Sequence, residues 1–291
     1  MRILVTGAKG QLGTELMQRL EPSHHEVIGV DLDHGDATLD ITRRDLVLAA
    51  LSELRPDAVI HGAAFTAVDA CEVQPETAYL VNSLATRFIA DGARRVGAHV
   101  VYVSTDYVFD GTKTGPYLEW DQPNPLAVYG TSKLGGEREL DPSSTIARTS
   151  WVCSAHGNNM VKTVLRVAAE RDELSFVDDQ IGHPTFAGDL AEMLIRLAVE
   201  RVPGIHHVTN QGAVSWYEFV RAILEASGDR PDKVRPISTA EFMAQRPSDA
   251  PPMAHRPANS VLDNFALRAS GMGELRDFRE PLAEVVAALR S

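Results

Sequence analysis

Residues Arg2–Thr6 form an apolar, β-rich run, and after a glycine-rich turn the apolar positions of Gln11–Leu20 recur at helical spacing. The alternation then repeats. Strand patterns cover 26–30 (ending at Asp31), Ala58–His61, 99–104 and 144–148. Helical patterns cover 45–54, 76–96 and 128–140. Strands separated by helices predict an α/β fold with a doubly wound parallel sheet and right-handed crossovers. Such sheets bind ligands beyond the carboxyl ends of their strands. Gly7, Asp31, His61 to Ala64, Ser104 to Asp106, and Thr149 to Trp151 fall at those ends.

The rhythm loosens after residue 150. Helices are expected at 158–169, 186–199, 215–226 and 281–289, with short strands at Leu174–Val177 and 205–208. The proline-containing stretches 235–237 and 247–257 show little regular pattern. The expected division is a dinucleotide-binding domain over 1–150 and a smaller lobe over 151–291, mainly substrate-binding and interleaved with the sheet. A chain of 291 residues with 44% hydrophobic and 23% charged residues can fill both. No apolar stretch reaches membrane-spanning length, and the chain starts directly on a strand pattern, so a cytoplasmic protein off the membrane is expected. The two cysteines, Cys71 and Cys153, have no metal-ligand spacing and fit a reducing compartment. A formal charge of −12 argues against a nucleic-acid surface but leaves room for an anionic small molecule at a locally basic site.

The chemistry is concentrated in a few short segments. Gly7, Gly10 and Gly13 let the backbone approach a pyrophosphate, which the helix N-terminus starting at Gln11 and Leu12 would hold with its free N–H groups. Asp31 lies 18 residues beyond Gly13, where a carboxylate accepts both ribose hydroxyls of NAD and repels a 2′-phosphate. Asp33 and Asp36 compete for that role, and Lys9 pulls towards NADPH. Asp40 and Ile41 either bracket the adenine or serve the next helix, with Asp40 as a cap. Ala63 and Ala64 are small enough for a flat cofactor to lie close to the backbone. Tyr129 and Lys133 share one helical face. A phenol beside an ammonium is a better proton donor, because the cation favours the phenolate. A glycine turn or a Tyr–Lys pair alone is common; their occurrence in this order points to hydride transfer from a nicotinamide to a carbonyl, with Tyr129 as the acid. A hydroxyl from Ser104 or Thr105 would hydrogen-bond that carbonyl, although Ser and Thr there commonly cap turns. Trp151 offers a face to a sugar or base or packs in the core. Asn159, in the run 157–159, and Arg256 are further candidates, Arg256 for a phosphate.

The segments GAKGQLG, HGAAFTAVDACE, STDYVFDG, YGTSKLGGE, RTSWVC, DDQIGHPT, SWYEF and HRPANSVLD extend this reading over nearly the whole chain. They resemble the extended short-chain dehydrogenase/reductases, which carry a Rossmann domain for NAD(P), and within them the dTDP-4-dehydrorhamnose reductase family. The resemblance implies NADPH- or NADH-dependent reduction of the C4 ketone of dTDP-4-dehydro-L-rhamnose, a nucleotide sugar. It assigns Tyr129 as acid and gives Lys133 two tasks, lowering the Tyr129 pKa and holding the nicotinamide ribose. It selects Thr105 over Ser104 to polarise the carbonyl and places Thr66, Val68 and Trp151 near the deoxyhexose. Some relatives form dimers bridged by Mg2+ through acidic side chains. Glu15 matches one such position and Asp189 approximates another, but the chain ends Leu-Arg-Ser without the C-terminal acid, so monomer and homodimer both stay open. His61 stands where relatives usually have asparagine. Two further readings compete: a reductase of another nucleotide-linked 4-keto-deoxyhexose, and a non-catalytic regulatory subunit like the β subunit of methionine adenosyltransferase.

Overall fold

The computed structural model describes residues 1–33, 36–247 and 249–290. Six strands come from the first half of the chain: β1 (Arg2–Thr6), β2 (Glu26–Asp31), β3 (Ala37–Thr38), β4 (Ala58–His61), β5 (His99–Thr105) and β6 (Thr145–Thr149). The second half adds β7 (Val152–Cys153), β8 (Leu174–Val177), β9 (Ile181–Gly182), β10 (Thr185–Phe186), β11 (Gly204–His207), β12 (Val214–Ser215) and β13 (Val234–Ile237). Seven of them build one parallel sheet in the order β11–β6–β5–β4–β1–β2–β3. The chain leaves β1 in one direction through β2 and β3, then returns to the other side through β4. The order therefore reverses between β1 and β4, where Thr6 pairs with His61, and a crevice at such a switch point is where a nucleotide fits.

Both faces of the sheet are covered, so its central strands are apolar throughout rather than alternating. Ile3 and Val5 pack with α1 (Gln11–Leu20) and α8 (Ala187–Glu200), through Leu16, Leu20, Leu190 and Leu194. Leu4, Val59 and Val100 face the other way, towards Val47 and Leu51 of α2 (Arg44–Leu54) and Phe88 and Ile89 of α5 (Ala85–Val96). A second core, built on Val161, Phe219, Ile223, Phe278 and Leu282, joins α7 (Met160–Glu170), α9 (Trp216–Ala226) and the C-terminal helix Arg279–Arg290 to β8 and β13. Although β11 and α8 lie late in the chain, they belong to the main sheet and its covering layer. No described helix is long and apolar enough to cross a membrane.

Three elements depart from the sequence pattern. The stretch expected as one helix over 76–96 is divided into α4 (Pro75–Tyr79), a π-helical turn at Leu80–Leu84, and α5. The helix expected over 128–140 ends earlier, as α6 (Val128–Glu137). The stretch around Pro236 is strand β13, paired only with β8; an edge strand needs no ladder bond from a proline nitrogen. Short helices such as α3 (Val68–Val73) span too few residues to show a period.

One buried ion pair ties these layers together. The Arg148 guanidinium on β6 grips Glu137 at the end of α6 with two bonds, Nε to Oε1 at 2.9 Å and Nη2 to Oε2 at 2.7 Å. Ser104 on β5 donates to the same carboxylate at 2.5 Å, and Arg148 stacks 5.2 Å from the Phe109 ring. Arg148 is 1% and Glu137 7% exposed, so neither charge can fall back on water. Removing one partner strands the other, which costs about 3–5 kcal/mol. Arg148→Met should lower the unfolding free energy in urea by that amount, and the double variant Arg148→Met/Glu137→Leu should recover part of it. A single variant as stable as wild type would contradict this account.

Burial favours the neutral ring in several histidines, three of them strongly. His61 bridges Thr6 Oγ1 (2.7 Å) and Thr86 Oγ1 (3.2 Å), linking β1, β4 and α5. Burial first, then the nearby Lys133 charge, pushes it down to about 3. Burial also holds His183 at about 4, and burial with Arg148 holds His207 at about 3. In the unfolded chain each titrates near 6.5, so between those values the unfolded state binds more protons and stability falls as pH falls. This contribution is full above about 6.5 and is lost progressively down to about pH 3. Urea midpoints measured from pH 7 to 4.5 should decline accordingly. In His61→Asn the decline should be shallower by about one proton, and an unchanged slope would mean that His61 is charged in the fold.

Candidate active site

The glycine turn after β1 closes on itself and against the loop after β4. Gly7 has φ +72°, and a Cβ there would lie 2.8 Å from Ala63 N. A Cβ on Gly13 would lie 2.0 Å from the Gly7 carbonyl oxygen, so only glycine lets α1 start this tightly. Gly10 is the N-cap of α1 and has no side-chain cap, which leaves the first N–H groups of the helix to an anion. Asp31 ends β2 beside this turn. It accepts from Lys9 N (2.9 Å, Oδ2) and Leu32 N (2.8 Å, Oδ1), and each oxygen keeps a lone pair for another donor. Of its rivals, Asp36 is engaged by Gly29 N at 2.7 Å, while Asp33 is exposed. Asp40 accepts from both the backbone and the hydroxyl of Thr42, at 2.9 and 2.6 Å, so its carboxylate caps the turn before α2, and Ile41 is buried in the core.

The second wall comes from β5, the 3-10 turn Asp106–Val108, and α6. Thr105 ends β5 at 5% exposure, and its hydroxyl lies beside the Tyr129 phenol, where it favours the phenolate. Burial outweighs that effect and pushes the Tyr129 phenol above its ordinary range, the reverse of the lowering expected from Lys133. Burial also drives the Lys133 ammonium down to about 7, against the pull of Glu137, and its Nζ stands 4.0 Å from the centre of the Tyr102 ring. Ser104 is not available to a carbonyl, because its hydroxyl donates to Glu137.

α6 can approach this closely because of its glycines. A Cβ on Gly130 would lie 2.1 Å from Tyr107 O, and one on Gly136 would lie 2.3 Å from Asn82 O. Asn82 sits in the π-helical turn and is buried. It accepts from Phe65 N at 2.8 Å and donates to Ser132 Oγ at 3.0 Å, which locks the loop after β4 to α6. The extra residue of a π turn is what brings this amide inward.

The remaining candidates divide. Thr66 is exposed and Val68 half-buried, at the start of α3. The next residue, Asp69, holds Arg256 through a two-pronged ion pair at 2.6 and 3.0 Å, which keeps the carboxyl below its usual range. Arg256 is thus anchored near the site, next to Tyr107. Trp151 takes a left-handed backbone (φ +46°) and stacks on Trp216 at 3.6 Å between ring centres, with Gly182 against its edge. Asn159 is a structural cap: its Oδ1 accepts from Lys162 N, and its amide donates to Gln11 Oε1 (2.9 Å) and Ser154 O (2.7 Å). Those bonds leave no amide proton for a sugar, so Asn159 is not kept as a substrate contact. Gln11 itself is tied to this loop rather than freed, and Leu12 packs into the α1–α8 core.

Glu15 and Asp189 are each already held by an arginine. Glu15 is bonded to Arg19, and Asp189 to Arg276 (both contacts 3.0 Å) and Asn210 (2.7 Å). Among the described residues no group of three or more acidic, histidine or cysteine side chains is placed to hold a metal.

The sequence pattern did not single out Asp69, Tyr107, Glu137 or Trp216. Tyr107 meets the Tyr129 ring edge-on at 5.6 Å, and its signal was its place in the STDYVFDG segment. Glu137, four residues after Lys133 on the same helical face, was equally visible. Asp69 and Trp216 lie in segments that carry the resemblance, but nothing local marks their partners, which lie 187 and 65 residues away in the chain.

A family model described as the RmlD substrate binding domain matches residues 1–291. The chain is 43% identical over 273 residues to a dTDP-4-dehydrorhamnose reductase of Aggregatibacter actinomycetemcomitans, covering 90% of each chain. It superposes with a TM-score of 0.92 on a crystal structure of a dTDP-4-dehydrorhamnose reductase from Clostridium acetobutylicum, at 40% identity and full coverage of both chains. A second such reductase, from Bacillus anthracis and in complex with NADP, gives a TM-score of 0.90 at 37% identity over 99% of both chains. With the glycine turn, the Thr–Tyr–Lys wall and these likenesses together, the chain belongs to the dTDP-4-dehydrorhamnose reductase family of the extended short-chain dehydrogenase/reductases.

Proposed function

We propose that the protein reduces the C4 ketone of dTDP-4-dehydro-L-rhamnose to dTDP-L-rhamnose, with NADPH or NADH as reductant. The observation that carries the reading is the placement of Thr105, at the end of β5, against Tyr129 one helical turn from Lys133, across the crevice from the glycine turn. The nicotinamide supplies the hydride when bound. The chain's own residues bind, orient and protonate. The free N–H groups at the start of α1 hold the pyrophosphate, Asp31 takes the adenine ribose, and Ala63 and Ala64 lie flat against the cofactor. Lys133 holds the nicotinamide ribose.

Tyr129 gives its proton to the oxygen that becomes the C4 hydroxyl, and Thr105 polarises the same oxygen. Burial keeps the Tyr129 phenol protonated until the substrate oxygen arrives. Arg256, held by Asp69, meets the diphosphate of the sugar nucleotide with its planar fork. Thr66, Val68 and the Trp151 face contact the deoxyhexose.

Purified protein supplied with dTDP-4-dehydrorhamnose should consume the nicotinamide's absorbance and yield dTDP-rhamnose; free keto sugars should not replace it. In this assay Tyr129→Phe should lower kcat by roughly two orders of magnitude, the usual scale for a general acid, with the nicotinamide KM little changed. Turnover within a few-fold of wild type would remove Tyr129 from the acid role.

Asp31→Ala should shift the ratio of kcat/KM towards NADPH. The ratio is the readout because the variant also loses the bond from Lys9 N, which weakens both cofactors alike. An unchanged ratio would mean that the carboxylate does not meet the ribose.

A further inference from the structure

A threonine hydroxyl has one proton and two acceptor positions. The Thr105 oxygen accepts from Tyr107 N at 3.2 Å, and its proton goes to Asp106 Oδ1 at 3.0 Å. In that arrangement no Thr105 proton remains for the Tyr129 oxygen or for a substrate carbonyl, although both roles need Thr105 to donate. The conflict disappears if the bond to Asp106 runs the other way. A protonated Asp106 donates to Thr105 Oγ1 and fills its second acceptor position, and the single Thr105 proton turns outward. No heavy atom has to move.

We propose that Asp106 is a positioning acid for this reductase, whose protonated form turns the single Thr105 proton outward, to the Tyr129 oxygen before substrate binds and to the substrate oxygen once it is in place. The inference rests on the reading of Thr105 and Tyr129 given above. Asp106 is 2% exposed, and its Oδ2 is buried with no hydrogen-bond partner of normal length among the described residues. A carboxylate is poorly served there and a neutral carboxyl much better. Burial accordingly raises the group to about 6, against the opposing effects of Ser260, Thr105 and the local backbone N–H groups. The groups facing it come from four segments. The Tyr129 phenol on α6 and the adjacent Tyr107 phenol both feel its charge, and Ser260 lies against it from the C-terminal segment. Behind Tyr107 stand Asp69 of α3 and Arg256, and Cys71 of α3 lies beside Tyr129.

Asp106→Asn provides the test, because an amide can donate to Thr105 at every pH. In wild type only about one carboxyl in eleven stays protonated one unit above its pKa, so the competent fraction falls about tenfold per further unit. The measurement is kcat with dTDP-4-dehydrorhamnose and saturating nicotinamide, from pH 5 to 7.5, for variant and wild type. Their ratio cancels the limb both share from Lys133. It should rise about thirtyfold across the range; a flat or falling ratio would overturn the proposal. A second measurement needs no turnover. The infrared carbonyl stretch of a buried carboxylic acid should titrate near pH 6 in wild type and be missing from Asp106→Asn. A spectrum without such a band between pH 4 and 8 would also overturn it, and this holds if the variant does not fold. Failure of wild type to turn over the dTDP sugar would count against the substrate reading and leave the infrared result to decide the role of Asp106.

Discussion

The arrangement of the active site depends on the Arg148–Glu137 pair. Three elements converge on it: β6 through Arg148, α6 through Glu137, and β5 through Ser104. Each brings one part of the chemistry, because α6 carries Tyr129 and Lys133 and β5 ends in Thr105. A buried ion pair is a poor source of net stability compared with apolar packing of the same volume. What it provides is a fixed position. The planar guanidinium accepts only one orientation of the carboxylate, so α6 cannot slide or rotate against the sheet without breaking two charged bonds.

Around that fixed point the interior is built to keep titratable groups neutral or displaced. Burial raises Tyr129 and Asp106 and lowers Lys133 and His61, each by desolvation of the charged form. An acid that holds its proton and an amine poised near neutrality are what a proton-donating wall requires. His61 belongs to the same design in a quieter way. As a neutral ring it joins Thr6 to Thr86 beneath the crevice without adding a positive charge next to Lys133.

The π-helical turn and the glycines of α6 solve a packing problem. The loop after β4 must meet both the glycine turn and α6. Asn82 reaches it only because the extra π residue brings the amide into the interior, and α6 lies close enough only because Gly130 and Gly136 have no side chains to push it away. These contacts place the two walls of the crevice at a definite separation.

Local pattern alone determined much of this protein. The period of apolar residues gave the strands and helices of the first half, and their alternation gave the parallel sheet, because burial on both faces leaves a direct trace in the sequence. The glycine turn and the Tyr129–Lys133 spacing were legible because each works within a single turn of backbone. Tertiary structure decided the rest. It divided the expected helix over 76–96 at Asn82, made a strand of the stretch around Pro236, used Asn159 as a cap, and engaged Ser104 with Glu137 so that Thr105 alone faces Tyr129. It paired Arg256 with Asp69 and Trp151 with Trp216, and set the charge states of Tyr129, Lys133 and Asp106. All of these depend on partners far away in the chain and on exclusion of water, and neither is written in the spacing of neighbouring residues.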